Sequence, residues 1–304
     1  MSSEQFSSLR VQCPFCASSR HLPSPHSPHL VRHGFYFRTS DSKRVARFFC
    51  VRQKKSFSHA TFSPCFGQKK RRLNEPIRRL LCSGVSQRRI AKILKINRKT
   101  VIQKFLFLAR EARLRNQEFL EARLSQGSSF ELQFDEMESS ERSKCLPVSI
   151  PLVVEKKTRK ILAFGVCEMP AKGLLAKISL QKYGPREDQR REAARKVFKT
   201  LEPWSLKLRQ IESDQKPSYP SWIRAQFPDL KHRVYLGKRG CIAGQGELKK
   251  IGFDPLFDFN HTAAMLRANI NRLFRRTWCT TKKKERLEDH IAIYAHYHNS
   301  VLTV

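Results

Sequence analysis

The sequence predicts an α/β fold, a mixed sheet with flanking helices, preceded by two small modules. Three observations carry that prediction. Apolar runs over residues 130–134, 150–154, 161–167 and 206–211 have the length of strands, and the first alternates as a strand does. Helical patterns cover 171–181 and 188–200, giving the order strand, strand, strand, helix, strand, helix. Two of the strand runs lead to an aspartate: the first stops at Asp135, and Asp214 follows the fourth. A lone aspartate at a strand end is usually a turn residue or a helix N-cap. Two of them at neighbouring strand ends at one edge of a mixed sheet offer the oxygen ligands that hard divalent cations such as Mg²⁺ or Mn²⁺ want. Such a pair suits metal-assisted phosphoryl transfer.

Charge points to the partner. The chain has 304 residues, with 60 Lys and Arg against 26 Asp and Glu, a net +34 spread along its whole length. That excess implies a polyanion, and DNA in particular. No stretch approaches the roughly 20 apolar residues of a membrane span, and residues 1–12 lack the apolar core of a signal peptide. A cytoplasmic location with no membrane partner is expected. Nine cysteines without a secretion signal argue against a disulfide framework.

The first module is expected over residues 1–68. Cys13 and Cys16 form a knuckle of metal-ligand spacing, and strand-like segments at 35–38 and 47–50 lead to Cys50. A second knuckle would place a cysteine three residues further on, where Gln53 stands. Cys13, Cys16 and Cys50 are thus three thiolate candidates for zinc, and structural zinc sites want four ligands. The fourth is open among His33, His59 and Cys65, or the ribbon is a degenerate one without metal.

The second module is expected over 69–126. Asn74 is placed to cap a helix with Pro76 in its first turn, running through 77–82 until Ser83 and Gly84 break it. Ser86 caps a second helix over 87–94, and the turn 95–97 leads into a third over 98–107. Ile90, Ala91, Leu94, Ile96, Val101 and Ile102 supply a small core, the pattern of a helix-turn-helix. Arg98, Lys99, Thr100, Gln103 and Lys104 would then face the major groove or its phosphates. A separate charged helix over 109–125 reads as a connector or a dimer contact. Gly127, Ser128 and Ser129 mark the boundary with the third module, 127–304.

In that last module a long helix from Phe259 carries Arg267, Arg272, Arg275 and Arg276, and a second amphipathic helix covers 283–297. Among the histidines of this region, His261 is the best functional candidate.

Three strings resemble a known family. DEMESSE at Asp135, SDQKPSY at Asp214 and LRANINRLFRRTWCTTKK from Leu266 are similar to the acidic motifs and the Arg-rich signature of DDE transposases of the insertion-sequence-one type, from bacterial mobile elements. The arrangement of zinc-ribbon-like segment and helix-turn-helix matches as well. The resemblance implies a ribonuclease-H-like catalytic domain. It implies Mg²⁺ or Mn²⁺ as cofactor, cleavage at the terminal repeats of an element, transfer into target DNA, and a homo-oligomer assembled on DNA at the bacterial nucleoid. Asp135 and Asp214 would be catalytic metal ligands. The family's third carboxylate falls at Asn260 here, so the resemblance leaves Asn260 to supply a neutral oxygen, or Asp258 or Glu247 to replace the acid. A decayed transposase that only binds DNA is the competing expectation.

Overall fold

A computed structural model describes residues 13–16, 29–39, 42–125, 129–236, 254–274 and 277–302. The chain divides into two compact units, Met1–Pro76 and Ile77–Val304. The first holds a three-stranded antiparallel sheet, β1 (Leu30–Arg38), β2 (Lys43–Cys50) and β3 (Lys55–Ser58), in that order. Its core is small: Cys13, Cys50 and Phe57, with Phe15, Leu30 and Phe48 packed on them.

Three helices follow. α1 (Asn74–Leu81), which begins at the boundary between the units, buries Ile77 and Leu81. Ser86 caps α2 (Gln87–Ile93) by accepting from the Arg89 N–H at 3.4 Å. Asn97 accepts from the Lys99 N–H at 2.8 Å where α3 opens. α3 is one 28-residue helix, Arg98–Ser125, not the two helices expected. No Gly or Pro interrupts it, and Leu108, Ala109 and Ala112 at the anticipated break are buried.

The sheet of the second unit contains β4 (Phe130–Ser140), β5 (Pro147–Glu155), β6 (Ile161–Phe164), β7 (Cys167–Glu168), β8 (Leu208–Asp214) and β9 (Lys231–Tyr235). Its main path runs β6-β5-β4-β8-β9, with β7 pairing β5. β4 is antiparallel to β5 and parallel to β8, and β8 is parallel to β9, so the sheet is mixed. The connection from β7 to β8 carries α4 (Leu174–Tyr183) and α5 (Arg190–Lys199), as a parallel crossover requires. α6 (Tyr219–Gln226) joins β8 to β9. Phe134, Phe198, Ile211 and Tyr219 centre the core between the sheet and α5 and α6. α7 (Phe257–Asn269) and α8 (Lys284–Tyr297) complete the unit.

Two boundaries differ from expectation. β4 does not stop at Asp135, because β5 pairs with it from Leu132↔Glu155 to Ser140↔Pro147 and holds the ladder past the acid. The Arg-rich helix ends at Asn269, where buried Ile270 turns extended and Arg272 falls in a following 3₁₀ turn.

α8 is buried along most of its length and α3 packs on it. Arg113 and Arg286 both bond Asp289 at 2.6 Å, and Asn116 donates to the Ala292 carbonyl. His290, wholly buried, bonds the Leu81 carbonyl at 3.1 Å, and burial pushes its imidazole down to about 3, so it is neutral. The turn after α1 is tied in by Gly84, whose N–H donates to the Asn269 carbonyl at 2.7 Å. Gly84 has φ +71°, and a Cβ there would stand 2.8 Å from the Phe274 ring. Gly84→Ala is therefore expected to destabilise the protein by about 1–3 kcal/mol, combining positive-φ strain and a steric clash. Thermal denaturation with an unchanged midpoint would refute this tie.

Candidate active site and candidate metal centre

Two places gather chemistry-bearing side chains. The first is in the N-terminal unit. Cys13, Cys16 and Cys50 bring their sulfurs within 4.8 Å of one another, with Cys16 and Cys50 Sγ 3.6 Å apart. The Cys16 N–H donates to the Cys13 carbonyl at 3.3 Å, closing the knuckle, and the Gln53 N–H donates to Cys50 Sγ at 3.4 Å. Gln53, where a second-knuckle cysteine was wanted, thus supplies a backbone donor in place of a thiol. Desolvation, helped by hydrogen bonds with Cys50 and Cys13, pushes the Cys16 thiol up to about 11. Burial also opposes ionisation of Cys50, but the Gln53 and Arg52 N–H groups and the neighbouring thiols outweigh it and hold that thiol below its usual value. One thiol readied for ionisation beside two soft donors fits a metal such as zinc.

The expected fourth ligands stand outside this cluster. The His33 ring packs on Phe49 and the His59 ring on Phe48, while Cys65 Sγ accepts from the Asn74 amide at 3.3 Å. Because thiols must lose protons to bind metal, the protein is expected to carry about one zinc per chain. Cys16→Ser or Cys50→Ser should abolish it. Elemental analysis of the folded wild type finding no zinc would assign the ribbon to the metal-free class.

The second place is at the centre of the larger sheet. The parallel register sets Phe134 opposite Ser213, so the next residues, Asp135 and Asp214, are neighbours where β8 ends. The two sequence-predicted acids are brought together, with Asp135 within β4 and Asp214 at the end of β8. Asp135 accepts from the Tyr219 hydroxyl at 2.7 Å and from the Glu136 N–H at 2.6 Å. Burial first, and the Asp214 charge second, raise its carboxyl to about 6 against the donation from Tyr219.

Residues that sequence reasoning missed surround the pair. Tyr219 looks like a core residue and does pack on Phe134, ring centroids 4.9 Å apart, yet its hydroxyl also reaches Glu136 at 3.2 Å. Glu136 accepts from Ser149 at 2.6 Å and is ion-paired with Lys216. The Lys216 ammonium lies 4.8 Å from the Tyr219 ring centroid and 5.2 Å from that of Trp222, and the Lys216 backbone N–H donates to Asp214 at 3.2 Å. Both residues belong to the string that follows Asp214, and its Lys and Tyr were the available signal.

The charge pattern of the sheet singles out the aspartates. Its deeply buried carboxylates each have a cation: Glu136 has Lys216, Glu155 has Arg123, and the wholly buried Glu212 has Lys156 at 2.7 Å. Asp135 and Asp214 have no ion pair with Lys or Arg among the described residues. Uncompensated buried charge is costly, so this is where a cation would be most favourable.

Other expected site residues lie elsewhere. Asn260 is an exposed residue of α7 whose amide donates to Asp254 at 2.7 Å; neither aspartate of the pair is its partner. Asp258 accepts from the Lys157 N–H in the β5–β6 turn at 2.9 Å. Glu247, Arg275 and Arg276 lie outside the described residues. His261 sits against Arg159 at 3.3 Å and not at the acid pair. Arg98, Lys99 and Gln103 are exposed and Thr100 half-buried, but Lys104 is buried, because the helical period turns it inward with Val101, Phe105 and Leu108. Arg272 is also turned inward: it stacks over Phe105, 5.6 Å from the ring centroid, and bonds Thr281 at 3.4 Å. Arg267 is half-buried on α7.

No protein-family model matches this chain, and neither does any curated protein. Among the described residues, no helix is long and apolar enough to cross a membrane.

A raised folded pKa means that Asp135 favours folding when protonated. That contribution is complete below about pH 4, the unfolded value, and is lost as pH rises through about 6. Asp135→Asn should therefore be more stable than wild type by on the order of 2 kcal/mol above pH 6. The advantage should disappear below pH 4. Parallel denaturation curves at all pH values would contradict it.

Proposed function

We propose that the protein is a DNA transposase of the insertion-sequence-one type, cutting element ends and joining them to target DNA in the bacterial cytoplasm as a homo-oligomer. One observation carries the reading: Asp135 and Asp214 are adjacent, half-buried and, among the described residues, without a Lys or Arg partner, in a sheet that pairs its deeply buried acids with cations. The strand order supports a ribonuclease-H-like domain. Numbered from β4, the main path runs third, second, first, fourth, fifth, with the first three strands antiparallel and the last two parallel to the first. The +34 charge and the exposed Arg98, Lys99 and Gln103 at the opening of α3 supply the DNA-facing side.

The carboxylates of Asp135 and Asp214 would hold Mg²⁺ or Mn²⁺, which when bound would polarise the scissile phosphate and activate the attacking hydroxyl. The chain's own residues arrange that pair. Tyr219 fixes the Asp135 carboxylate through its hydroxyl. Lys216 neutralises Glu136, leaving Asp135 and Asp214 as the acids without an ion pair among the described residues.

Asn260 favours a second reading, a decayed transposase that binds element ends without cutting them, because its amide is engaged with Asp254. Incubation with terminal-repeat DNA and Mg²⁺ or Mn²⁺ separates the two. The first reading expects nicked and joined products from the wild type. Asp135→Ala and Asp214→Ala should both lose them while DNA affinity stays within about twofold. Cutting by Asp135→Ala at the wild-type rate would exclude this edge as the active site. A wild type that binds the repeats and never cuts would establish the second reading.

A further inference from the structure

The N-terminal sheet carries a surface that neither the zinc knuckle nor the acid pair uses. β1 pairs Arg32 with Phe48, then Phe35 with Ala46 and Phe37 with Arg44. His33 and Gly34 therefore share the single position opposite Arg47, which is a β-bulge, and Gly34 takes it with φ +70°. The extra residue reverses the alternation of β1, and a slip of one residue moves side chains to the opposite face. Phe48, Ala46 and Arg44 alternate on one face of β2, so Arg32, Phe35 and Phe37 now lie on that face together.

On it, the Phe35 ring has the Arg32 and Arg44 guanidinium carbons 4.7 and 4.3 Å from its centroid. Phe37 beside it is 64% exposed, so the two rings present one apolar surface among the cations. A cavity of about 590 Å³ opens at Phe35, and Arg38, Lys43 and Arg71 join Arg32 and Arg44 in its wall; among the described residues, no Asp or Glu lines it. Aromatic rings interleaved with cations make a stacking platform for unpaired bases, whose phosphates run over the positive charges. Duplex bases are already stacked on one another and cannot offer their faces to Phe37.

We propose that this face of β1 and β2 binds single-stranded DNA, with a base stacked on Phe37 and phosphates held by Arg32 and Arg44. Phe35 is a positioning residue that keeps the two guanidiniums in place. The choice of DNA over RNA rests on the function proposed above; the platform itself does not.

The test is fluorescence anisotropy of the full chain with oligothymidylate of about 12 nucleotides, a site size in the usual range, across a salt series. Oligouridylate of the same length and a duplex serve as competitors. Phe37→Ala should weaken oligothymidylate binding about tenfold with an unchanged salt slope, because stacking and not charge is lost. Phe37→Tyr should retain the affinity, separating stacking from misfolding. Arg32→Ala and Arg44→Ala should each lower the slope by about 0.7. Phe37→Ala should leave duplex affinity unchanged. Wild-type affinity of Phe37→Ala for oligothymidylate, or an equal loss on duplex, would overturn the proposal, and a preference for oligouridylate would overturn the choice of DNA. Asp135→Ala should bind oligothymidylate normally, so failure of the cleavage reading and failure of this surface give different results.

Discussion

The pairing of β4 with β8 is the constraint on which the second unit depends. β4 is the one strand with an antiparallel partner on one side and a parallel partner on the other. The parallel partner cannot be reached by a hairpin, so the chain crosses over through α4 and α5 and deposits α5 on the sheet. The same register that packs Leu132 beside Ile211 also sets Gln133 beside Glu212, burying both polar groups. Gln133 donates to Glu212 at 3.0 Å and to the Pro255 carbonyl at 2.8 Å, and accepts from the Phe259 N–H at 2.8 Å. The start of α7 is thereby fastened to the sheet by the group that most needs satisfaction. Shifting the β4–β8 register would separate Asp135 from Asp214 and orphan this network at once.

The electrostatics of the sheet follow from that packing. Buried ion pairs are weak sources of stability, but removing one partner is expensive. Glu212, Glu136 and Glu155 each obey that rule with a basic partner. Asp135 departs from it and is held by neutral donors, the Tyr219 hydroxyl and the Glu136 N–H. Desolvation, and then the Asp214 charge, hold its carboxyl above the usual value despite those donors. In a chain with 60 Lys and Arg, the missing partner is not a matter of supply. The fold places a basic partner one residue away, on Glu136, and among the described residues none on the aspartate.

Much of this was legible in the sequence, and the misses have common causes. Alternation located β4, while β5 and β6, buried on both faces, and β8 were located as short apolar runs. The two aspartates were visible because each is joined to such a run. Helix ends were less legible. Nothing local distinguishes a single α3 from two helices; the burial of Leu108, Ala109 and Ala112 against tertiary neighbours decides it. Lys104 and Arg272 illustrate the same limit, since composition marks them as basic and only packing turns them inward. The Glu136–Lys216 pair joins positions 80 residues apart in sequence, and no short-range pattern encodes it. The bulge at Gly34 was missed because a reversed alternation looks, in sequence, like a weak strand.

α3 gives a mechanical reason for building the helices and the sheet as one unit. Its first turn exposes Arg98 and Lys99, and its last turn sends Arg123 to Glu155 at the end of β5. A 28-residue helix spans about 42 Å at 1.5 Å per residue. Between those ends, Arg113 and Asn116 bind α8, whose His290 in turn holds the end of α1. A connector of two helices with a joint near residue 108 would let the exposed basic end move independently of the acid pair. A single helix seated on a buried α8 fixes the distance between them. The exposed basic turn and the acid pair are therefore held at a separation set by the length of α3 and not by a flexible linker.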